Sequence, residues 1–347
     1  MSGDISNLSR MGSIKNDTGT WAKDNALFLK VFSGEVLTSF KRSCVFGDFV
    51  MKRTIQSGRS AQFPVTGRFT ATSVTPGAFI DGQGSMAQNE VVIRIDDYLT
   101  AAADIFSLDE AKTHFDQRSI YSTELGEALA RAYDKRIARL VAIGARTSTG
   151  DLTADLPSGL SPDDPYRTGT QIDIAKTDAT SNDYVAAVFT AAQALDEKDV
   201  SSDNRVLICT PEIFYTLIQS DRAVNFDFNQ QGTNGSYKEG QIVKLAGFSI
   251  YSSNNIAQGN AGADSGEQGF VFNGSKVTSA ANMTNTGMLA FQRNAIGVVE
   301  LKGVQMSMSG NDYAVMYNST KMKAQYACGF GVLRPECCVE VTNTGTP

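Results

Sequence analysis

The stretch that decides the fold is residues 53–97, RTIQSGRSAQFPVTGRFTATSVTPGAFIDGQGSMAQNEVVIRIDD. Two β-like runs, 60–65 and 68–74, flank a turn predicted at 64–67, and a third run, 90–95, follows a glycine-rich loop. The pattern predicts a long hairpin with little apolar content, and a two-stranded ribbon alone in water is only marginally stable. Either the rest of the chain or another copy must hold this ribbon, which favours assembly over catalysis.

Composition and charge indicate a globular protein with an acidic body. The chain has 347 residues, 41% hydrophobic and 20% charged, enough for a sizeable core. Residues 1–60 carry nine basic and five acidic side chains, whereas the remainder carries 22 and 32. An acidic body argues against tight, general binding of nucleic acid, which depends on neutralising phosphates. The basic first segment is either a solvated arm or a contact to an acidic neighbour or nucleic acid.

Targeting and redox signals favour a cytoplasmic site of synthesis. No apolar run approaches the ~20 residues that a membrane span needs, and residues 1–20 lack the apolar centre of a secretory signal. The five cysteines include no CxxC pair. We therefore expect reduced, buried thiols rather than disulfides or a metal site.

A helix is predicted near the N-terminus, from Asp24 or Asn25, either of which can cap it, to about Phe40. Apolar side chains, among them Phe28 and Phe32, cover most of its circumference. We expect such a helix to be buried from more than one direction.

Two helices are predicted after the hairpin, a short one at 104–115 and a long one at 118–141 with a 3.6-residue apolar period. Arg136 falls inside the apolar arc of the long helix, so the helix bends there or the guanidinium finds a partner. Residues 144–182 are predicted to be a loop and are the best candidate for a domain boundary.

The rest of the chain predicts a mixed α/β arrangement. The predicted elements are a helix at 182–195, a strand at 205–209, a helix starting at Pro211, strands near 240–251, 269–272 and 288–292, an exposed loop at 252–268, one long strand or a pair at 295–308, and a half-buried strand at 321–330.

The sequence predicts no catalytic, cofactor or metal site. His114 is the only histidine, which excludes a histidine-based metal cluster and leaves at most one imidazole for a triad. No GxSxG, HExxH, Walker-type or GxGxxG fingerprint is present.

Several sequence blocks, taken together and in order, resemble the major capsid proteins of short-tailed bacteriophages (podoviruses). The first two are the most specific, and the similarity is weakest in residues 145–295. The blocks are ALFLKVF at 26–32 with GEVLT at 34–38, GRSAQFPV at 58–65 with GR at 67–68, LTA at 99–101, HFD at 114–116 with RS at 118–119 and Tyr121, LGE at 125–127, YA at 326–327 with Gly329, and LRPE at 333–336.

The resemblance implies the α+β fold shared by tailed-phage and herpesvirus capsid proteins. Its expected parts are an N-terminal arm at 1–45, an extended β-hairpin loop at 53–97, a peripheral domain with a long spine helix at 46–52, 98–155 and 301–336, and a mixed α/β axial domain at 156–300 and 337–347.

The resemblance also implies a structural role without enzymatic activity. Copies are expected to self-assemble into hexamers and pentamers of an icosahedral shell that encloses double-stranded DNA. The implied partners are further copies, a scaffolding protein in the procapsid, a portal vertex and non-specifically held DNA, with no membrane. The implied location is the virion capsid, assembled in the host cytoplasm. Some relatives weld their shells with lysine–asparagine bonds from the extended loop, but this chain has no lysine between Lys52 and Lys112, so we expect non-covalent contacts.

We expect contacts between subunits to involve the arm, the hairpin and the spine helix. The candidate residues are Phe28, Phe32, Phe40, Arg59, Phe63, Arg68 and Arg136.

Two other functions are the alternatives. A soluble hydrolase would need an enclosed pocket with converging polar groups. A phage fibre or adhesion subunit would need a repeat or an all-β pattern, against which the predicted helices at 118–141 and 182–195 argue.

Overall fold

The computed structural model describes residues 14–15, 21–23, 44–66, 73–79, 88–95, 98–112, 117–147, 168–174, 179–220, 244–256, 283–309 and 311–344. The chain forms two compact units: one comprises Met1–Ser43, Ala101–Leu129 and Met306–Ala324, and the other comprises Cys44–Thr100, Ala130–Gln305 and Gln325–Pro347. The predicted helix at 24–40 and the predicted strand at 269–272 lie outside the described residues. Near the N-terminus, β1 (Ile14–Lys15) pairs antiparallel with β2 (Trp21–Lys23).

The long predicted helix is confirmed as α2 (Gln117–Arg146). The short helix before it, α1 (Ser107–Lys112), begins later than predicted, because residues 104–106 end the strand β6 (Tyr98–Phe106). Exposure along β6 mostly alternates from residue to residue, and this two-residue period outweighs the local helical pattern. Buried apolar side chains recur along α2 at three- or four-residue spacing: Leu125, Leu129, Tyr133, Ile137 and Leu140.

A six-stranded sheet forms the centre of the larger unit, in the order β7-β14-β11-β8-β10-β9. Its strands are β7 (Thr170–Asp173), β8 (Arg205–Cys209), β9 (Lys244–Leu245), β10 (Phe248–Ser252), β11 (Thr286–Gln292) and β14 (Cys338–Thr342). Strand β8 is confirmed at its predicted bounds and is buried along its whole length. The predicted loop at 144–182 is wrong over β7, which pairs parallel with the C-terminal strand β14.

Two predicted helices are confirmed beside this sheet. The helix α3 (Ser181–Glu197) contacts β7, and α4 (Pro211–Ile218) contacts β10. The start of α3 is stabilised because the Asp183 carboxylate accepts a hydrogen bond from the Thr180 backbone N–H at 3.0 Å, the reciprocal half of a capping box.

A second sheet has the order β3-β12-β13-β6. Its further strands are β3 (Met51–Thr54), β12 (Ile296–Met308) and β13 (Ser319–Val332). The stretch predicted as one long strand or a pair is one strand, β12, which runs parallel to β3. A short helix that the sequence did not predict, α5 (Asn311–Tyr317), connects β12 to β13.

The predicted runs at 60–65 and 90–95 are confirmed as the two strands of the hairpin, but the predicted connection between them is wrong. Strand β4 (Ser60–Thr66) pairs antiparallel with β5 (Gln88–Arg94), from Ser60 opposite Arg94 to Thr66 opposite Gln88. The predicted turn at 64–67 is wrong over 64–66, which continue β4. Proline is tolerated there because a two-stranded ribbon leaves one edge of each strand without a partner. Of the predicted partner run 68–74, only 73–74 are described, and they are not in a strand.

Candidate functional site

The base of the hairpin has an apolar inner face that packs on its own chain. Ala61, Phe63 and Ile93 are buried and form one core cluster with Val299 of β12. The neighbouring β4 residue Gln62 is exposed, as the two-residue period of a strand requires. Ile55, Ile95 and Leu333 pack around the cluster as partly buried neighbours. We call Ala61, Phe63, Ile93 and Val299 the hairpin root.

Glycines of the underlying sheet make room for the root. A Cβ added to Gly329 would lie 2.4 Å from the Arg94 carbonyl oxygen, and one added to Gly331 would lie 2.7 Å from Cγ1 of Ile93. Both distances are far shorter than a van der Waals contact, so any larger residue would push β5 away. The close approach of β5 to the sheet therefore depends on glycine at these positions.

Arg53 of β3 adds a polar contact at the root. Its Nη1 donates a hydrogen bond to the Gln62 carbonyl oxygen at 2.7 Å. Its guanidinium carbon also lies 5.7 Å from the centroid of the Phe63 ring, within the range of a cation–π interaction. Arg53 thus holds both the backbone and the inner face of β4.

The far part of the hairpin differs from its base. Residues 73–79 are exposed, and the Ala78 N–H donates to the Thr75 carbonyl oxygen at 3.1 Å. Pro76 and Gly77, the latter with a φ of 91°, occupy the central positions of a type II turn, where the second central residue needs positive φ. Phe79 directly follows this turn and is 90% exposed. We call residues 73–79 the hairpin tip.

The structure places the predicted contact residues in different environments. Phe63 is only 5% exposed and belongs to the hairpin root of its own chain, and its contact with another subunit stays a prediction. Arg136 is half-buried. Burial raises the pKa of the Cys328 thiol, and the charge of Arg136 offsets only part of that rise. Arg59 has an exposed side chain at the start of the hairpin. Phe28, Phe32, Phe40 and Arg68 lie outside the described residues.

Asp134 of α2 holds the chain that leads into β3. Its carboxylate accepts hydrogen bonds from the Cys44 thiol at 2.6 Å and from the backbone N–H groups of Val45 at 2.8 Å and Phe46 at 3.2 Å. The side-chain amide of Asn255 donates to it at 3.0 Å. Asn255 is itself buried, so the predicted exposed loop at 252–268 is wrong at its start. This fully buried carboxylate fixes the chain segment just before the hairpin.

Glu340 of β14 is a second buried carboxylate with several donors. Arg146, at the end of α2, donates to both of its oxygens at 2.6 Å. Gln171 and Thr286 donate from the neighbouring strands β7 and β11 at 3.1 and 2.6 Å. A two-pronged pair of this kind has well-defined geometry, so it aligns the end of α2 with the six-stranded sheet.

The thiols and buried phenols are held in their neutral forms. All five cysteines are free; four of them are buried, and Cys44 is half-buried. Burial raises the pKa of Cys328 to about 12, and burial together with the hydrogen bond to Asp134 does the same for Cys44. Burial also raises the pKa of Tyr326, whose hydroxyl donates to Glu300. A nucleophilic cysteine needs a lowered pKa, so this pattern is typical of structural thiols.

The described residues carry neither a metal-binding cluster nor a membrane-spanning helix. Within those ranges, no group of three or more histidine, cysteine, aspartate or glutamate side chains is placed to hold a metal ion. No helix in the described part of the chain has both the length and the apolar character to cross a membrane.

Sequence reasoning missed Phe79. The available signal was a large aromatic residue directly after a Pro-Gly turn in an otherwise small and polar loop. Turn chemistry predicts such a loop tip to be exposed, and an exposed aromatic side chain is typical of a binding surface.

Comparison with protein families and curated proteins points to phage shells. A family model described as "Gp10A-like: Major capsid protein" matches residues 62–342. The chain is 33% identical over 321 residues to the major capsid protein of Escherichia phage T7, with 90% of each chain covered. It is 30% identical over 331 residues to the major capsid protein of Enterobacteria phage T3, again with 90% of each covered.

Solved structures show the same likeness. The chain matches the capsid structure of the cyanophage P-SCSP1u with a TM-score of 0.72 and 34% identity, covering 99% of this chain and 100% of that one. It matches the mature capsid of bacteriophage PhiM1 with a TM-score of 0.68 and 19% identity, covering 99% and 98%. The second likeness concerns the fold alone.

Proposed function

The chain belongs to the Gp10A-like family of phage major capsid proteins, and from this premise we propose that its copies form hexamers and pentamers of an icosahedral shell around double-stranded DNA. The family match over residues 62–342 carries this proposal. The role is structural. The site of action is the virion capsid, and assembly takes place in the host cytoplasm.

The hairpin is the proposed contact between neighbouring subunits. Its root is fixed on its own subunit, whereas its tip is exposed and carries Phe79. A rigid base lowers the ordering cost of binding at the far end. The tip therefore lies on an adjacent subunit, with Phe79 as its apolar anchor. Arg59, whose side chain is exposed, and Arg68 meet acidic groups of that neighbour.

The two sheets correspond to the two proposed domains. The peripheral domain contains the sheet β3-β12-β13-β6 and the spine helix α2, and the axial domain contains the six-stranded sheet with α3 and α4. The hydrogen bonds from Arg146 to Glu340 support a firm connection between the end of α2 and the axial sheet.

The segment at 1–45 is the proposed arm, which docks Phe28, Phe32 and Phe40 on a neighbouring copy. Asp134 holds the backbone at Val45 and Phe46, so the arm leaves its subunit from a fixed point. A scaffolding protein directs the precursor shell, a portal occupies one vertex, and the shell matures as DNA enters.

The proposed contacts with DNA are weak and non-specific. Outside its first 60 residues the chain carries 32 acidic and 22 basic side chains, which disfavours tight binding to phosphates. An acidic inner wall keeps packaged DNA from adhering. Tight binding of the unassembled protein to DNA that persists at high salt would contradict this part.

The shell is held by non-covalent contacts in this proposal. Residues 53–111 contain no lysine, so the extended loop offers no amine for an isopeptide bond. Denatured particles are expected to run as single chains in mass spectrometry or on gels. Ladders of linked chains would contradict the proposal.

The experiment that tests the function is co-expression with the cognate scaffolding protein, followed by electron microscopy. Closed shells are expected for the unaltered chain, and a monomer or small oligomer alone would contradict the proposal. The matched variant replaces 67–87 by Asn-Gly, since Thr66 lies opposite Gln88 and a two-residue type I′ turn suits that geometry. This variant is expected to keep its folded subunit and to form no shells.

A further inference from the structure

The helix α2 carries a buried hydroxyl for which the described residues offer no hydrogen bond. Tyr133 is only 6% exposed, and its phenolic oxygen has no hydrogen-bond partner within the described part of the chain. Burying a polar group without a partner is unfavourable, and buried tyrosine hydroxyls usually find one. The Tyr133 hydroxyl therefore needs an explanation beyond packing.

The Tyr133 ring is closely packed by three neighbours in its own unit. Its centroid lies 5.7 Å from that of Tyr326 and 5.3 Å from that of Phe330, both on β13. Its Cε1 atom would lie only 3.3 Å from a Cβ added to Gly47. This packing keeps the ring in place, so the hydroxyl stays buried in this conformation of the subunit.

A carboxylate near Tyr133 already accepts a hydrogen bond from another phenol. Glu300 of β12 accepts from the Tyr326 hydroxyl through its Oε1 atom. Burial raises the pKa of Tyr133, and the charge of Glu300 raises it further, an effect that requires the two groups to be close. A carboxylate can accept from two donors, one on each oxygen. Glu300 thus lies close to two buried phenols and binds one of them.

The residue after Tyr133 connects α2 to the proposed arm. Asp134 accepts hydrogen bonds from the backbone N–H groups of Val45 and Phe46, at 2.8 and 3.2 Å. A pull on the arm therefore acts on α2 at the turn that carries Tyr133. Packed helices slide by ~1–2 Å in conformational switches, and a shift of that size is enough to complete a hydrogen bond.

We propose that Tyr133, Tyr326 and Glu300 form a two-state hydrogen-bond switch that favours the assembled conformation of the subunit. In the unassembled subunit only Tyr326 donates to Glu300. When the arm docks on a neighbouring copy, α2 slides on the sheet and Tyr133 donates to the second oxygen of the same carboxylate. This inference rests on the proposed shell function.

The switch gives one hydroxyl opposite effects before and after assembly. In the unassembled subunit the Tyr133 hydroxyl opposes folding, because it loses its contact with water and gains no partner. In the shell the same hydroxyl donates to a charged carboxylate, which is among the stronger kinds of hydrogen bond. Each copy in the shell repeats this gain.

The first experiment compares Tyr133→Phe with Tyr326→Phe in the unassembled full chain, by denaturant unfolding. Removing the hydroxyl that lacks a partner is expected to raise the ratio of folded to unfolded chains about tenfold. Tyr326→Phe, the matched control, breaks the existing hydrogen bond to Glu300 and is expected to lower the ratio by a similar factor. A ratio for Tyr133→Phe equal to or below that of the unaltered chain would overturn the inference, because the hydroxyl would then already have a partner, such as an ordered water.

The second experiment places the same two variants in shells formed with the scaffolding protein. Tyr133→Phe is expected to lower the temperature at which shells come apart, or to prevent shells altogether, although it stabilises the unassembled subunit. Tyr326→Phe is expected to weaken both. Shells of Tyr133→Phe that are as stable as unaltered shells, or more stable, would overturn the inference.

A reconstruction of the unaltered shell gives the direct readout. The Tyr133 oxygen is expected within about 3 Å of a Glu300 oxygen, while Tyr326 keeps its own hydrogen bond. A Tyr133 hydroxyl without contact to Glu300 in the shell would overturn the switch and leave the proposed function standing. The absence of shells from the unaltered chain would contradict the function itself, and the inference with it.

Discussion

The two ends of the hairpin each carry a phenylalanine, one of them buried and the other exposed. Phe63 at the root is 5% exposed, and Phe79 at the tip is 90% exposed. Phe63 is buried against Val299 because Gly329 and Gly331 let β5 lie close to the sheet. Phe79 directly follows a tight turn and is exposed to solvent. The comparison teaches that two phenylalanines of one hairpin are buried or exposed according to the backbone around them.

The largest effect on stability is expected at the root. Phe63→Ala removes a buried ring and leaves a cavity beside Val299, which costs about 3–5 kcal/mol of the free energy of unfolding. Denaturant unfolding of the unassembled subunit measures this. A loss below about 1 kcal/mol would mean that the root does not depend on Phe63.

A somewhat smaller loss of stability is expected when a side chain is added to the sheet beneath the hairpin root. Gly329→Ala places a Cβ 2.4 Å from the Arg94 carbonyl oxygen, so β5 must move, at a cost of about 1–3 kcal/mol. The control is Gly303→Ala in β12, where an added Cβ meets nothing within 4 Å. Equal unfolding midpoints for the two variants would contradict a glycine-dependent root.

Alkaline pH is expected to weaken the sheet beneath the root. The Cys328 pKa is raised from 9.0 to about 12 by burial, so between these values the unfolded chain loses this proton while the folded chain keeps it. The free energy of unfolding therefore falls as pH rises, by up to about 1.4 kcal/mol per pH unit for this thiol. Below pH 9 this thiol contributes no slope.

The matched variant for this pH dependence is Cys328→Ala. Its stability is expected to fall less steeply than that of the unaltered chain between pH 9 and about 12, as followed by denaturant unfolding. Parallel curves would show that Cys328 titrates alike in both states. The tip, residues 73–79, has no ionisable side chain and adds nothing to this slope.

The free energy of unfolding is expected to fall by about 1 kcal/mol for Arg53→Met. This variant keeps the length of the side chain but removes the hydrogen bond to Gln62 and the charge over Phe63. Lys52→Met, at the adjacent exposed position, is the control and is expected to stay within about 0.5 kcal/mol. If both variants unfold alike in denaturant, Arg53 does not hold β4.

The smallest effect on stability is expected at the tip. Phe79→Ala removes a ring that is 90% exposed, so the free energy of unfolding is expected to change by less than about 0.5 kcal/mol. The yield of shells should nevertheless fall sharply, because the variant loses its anchor on the neighbour. Normal shells from Phe79→Ala would remove Phe79 from the contact.

The long and strongly patterned elements could be predicted from the sequence. The spine helix α2 and the strand β13 carry a clear period, and the buried strand β8 carries an unbroken apolar run after Arg205. Local patterns therefore sufficed for these elements. The family resemblance gave the fold class, which the structural matches confirm. The domain boundaries remain a proposal.

The missed elements depend on contacts distant in sequence. Strand β7 has a polar sequence and becomes a strand only through pairing with β14. The partner of β4 was predicted at 68–74 because local turn residues suggested a short connection, whereas the pairing that buries Phe63 and Ile93 is with β5. Phe79 is the exception, because the Pro-Gly turn directly before it is a local signal for an exposed position.

The most direct test of the central claim is a cryo-EM reconstruction of the assembled shell at side-chain resolution. The expected result is that the Phe79 ring contacts a neighbouring subunit while Phe63 stays on Val299 of its own chain. A reconstruction in which Phe79 packs on its own chain, or in which Phe63 leaves Val299 for a neighbouring copy, would contradict the division between root and tip.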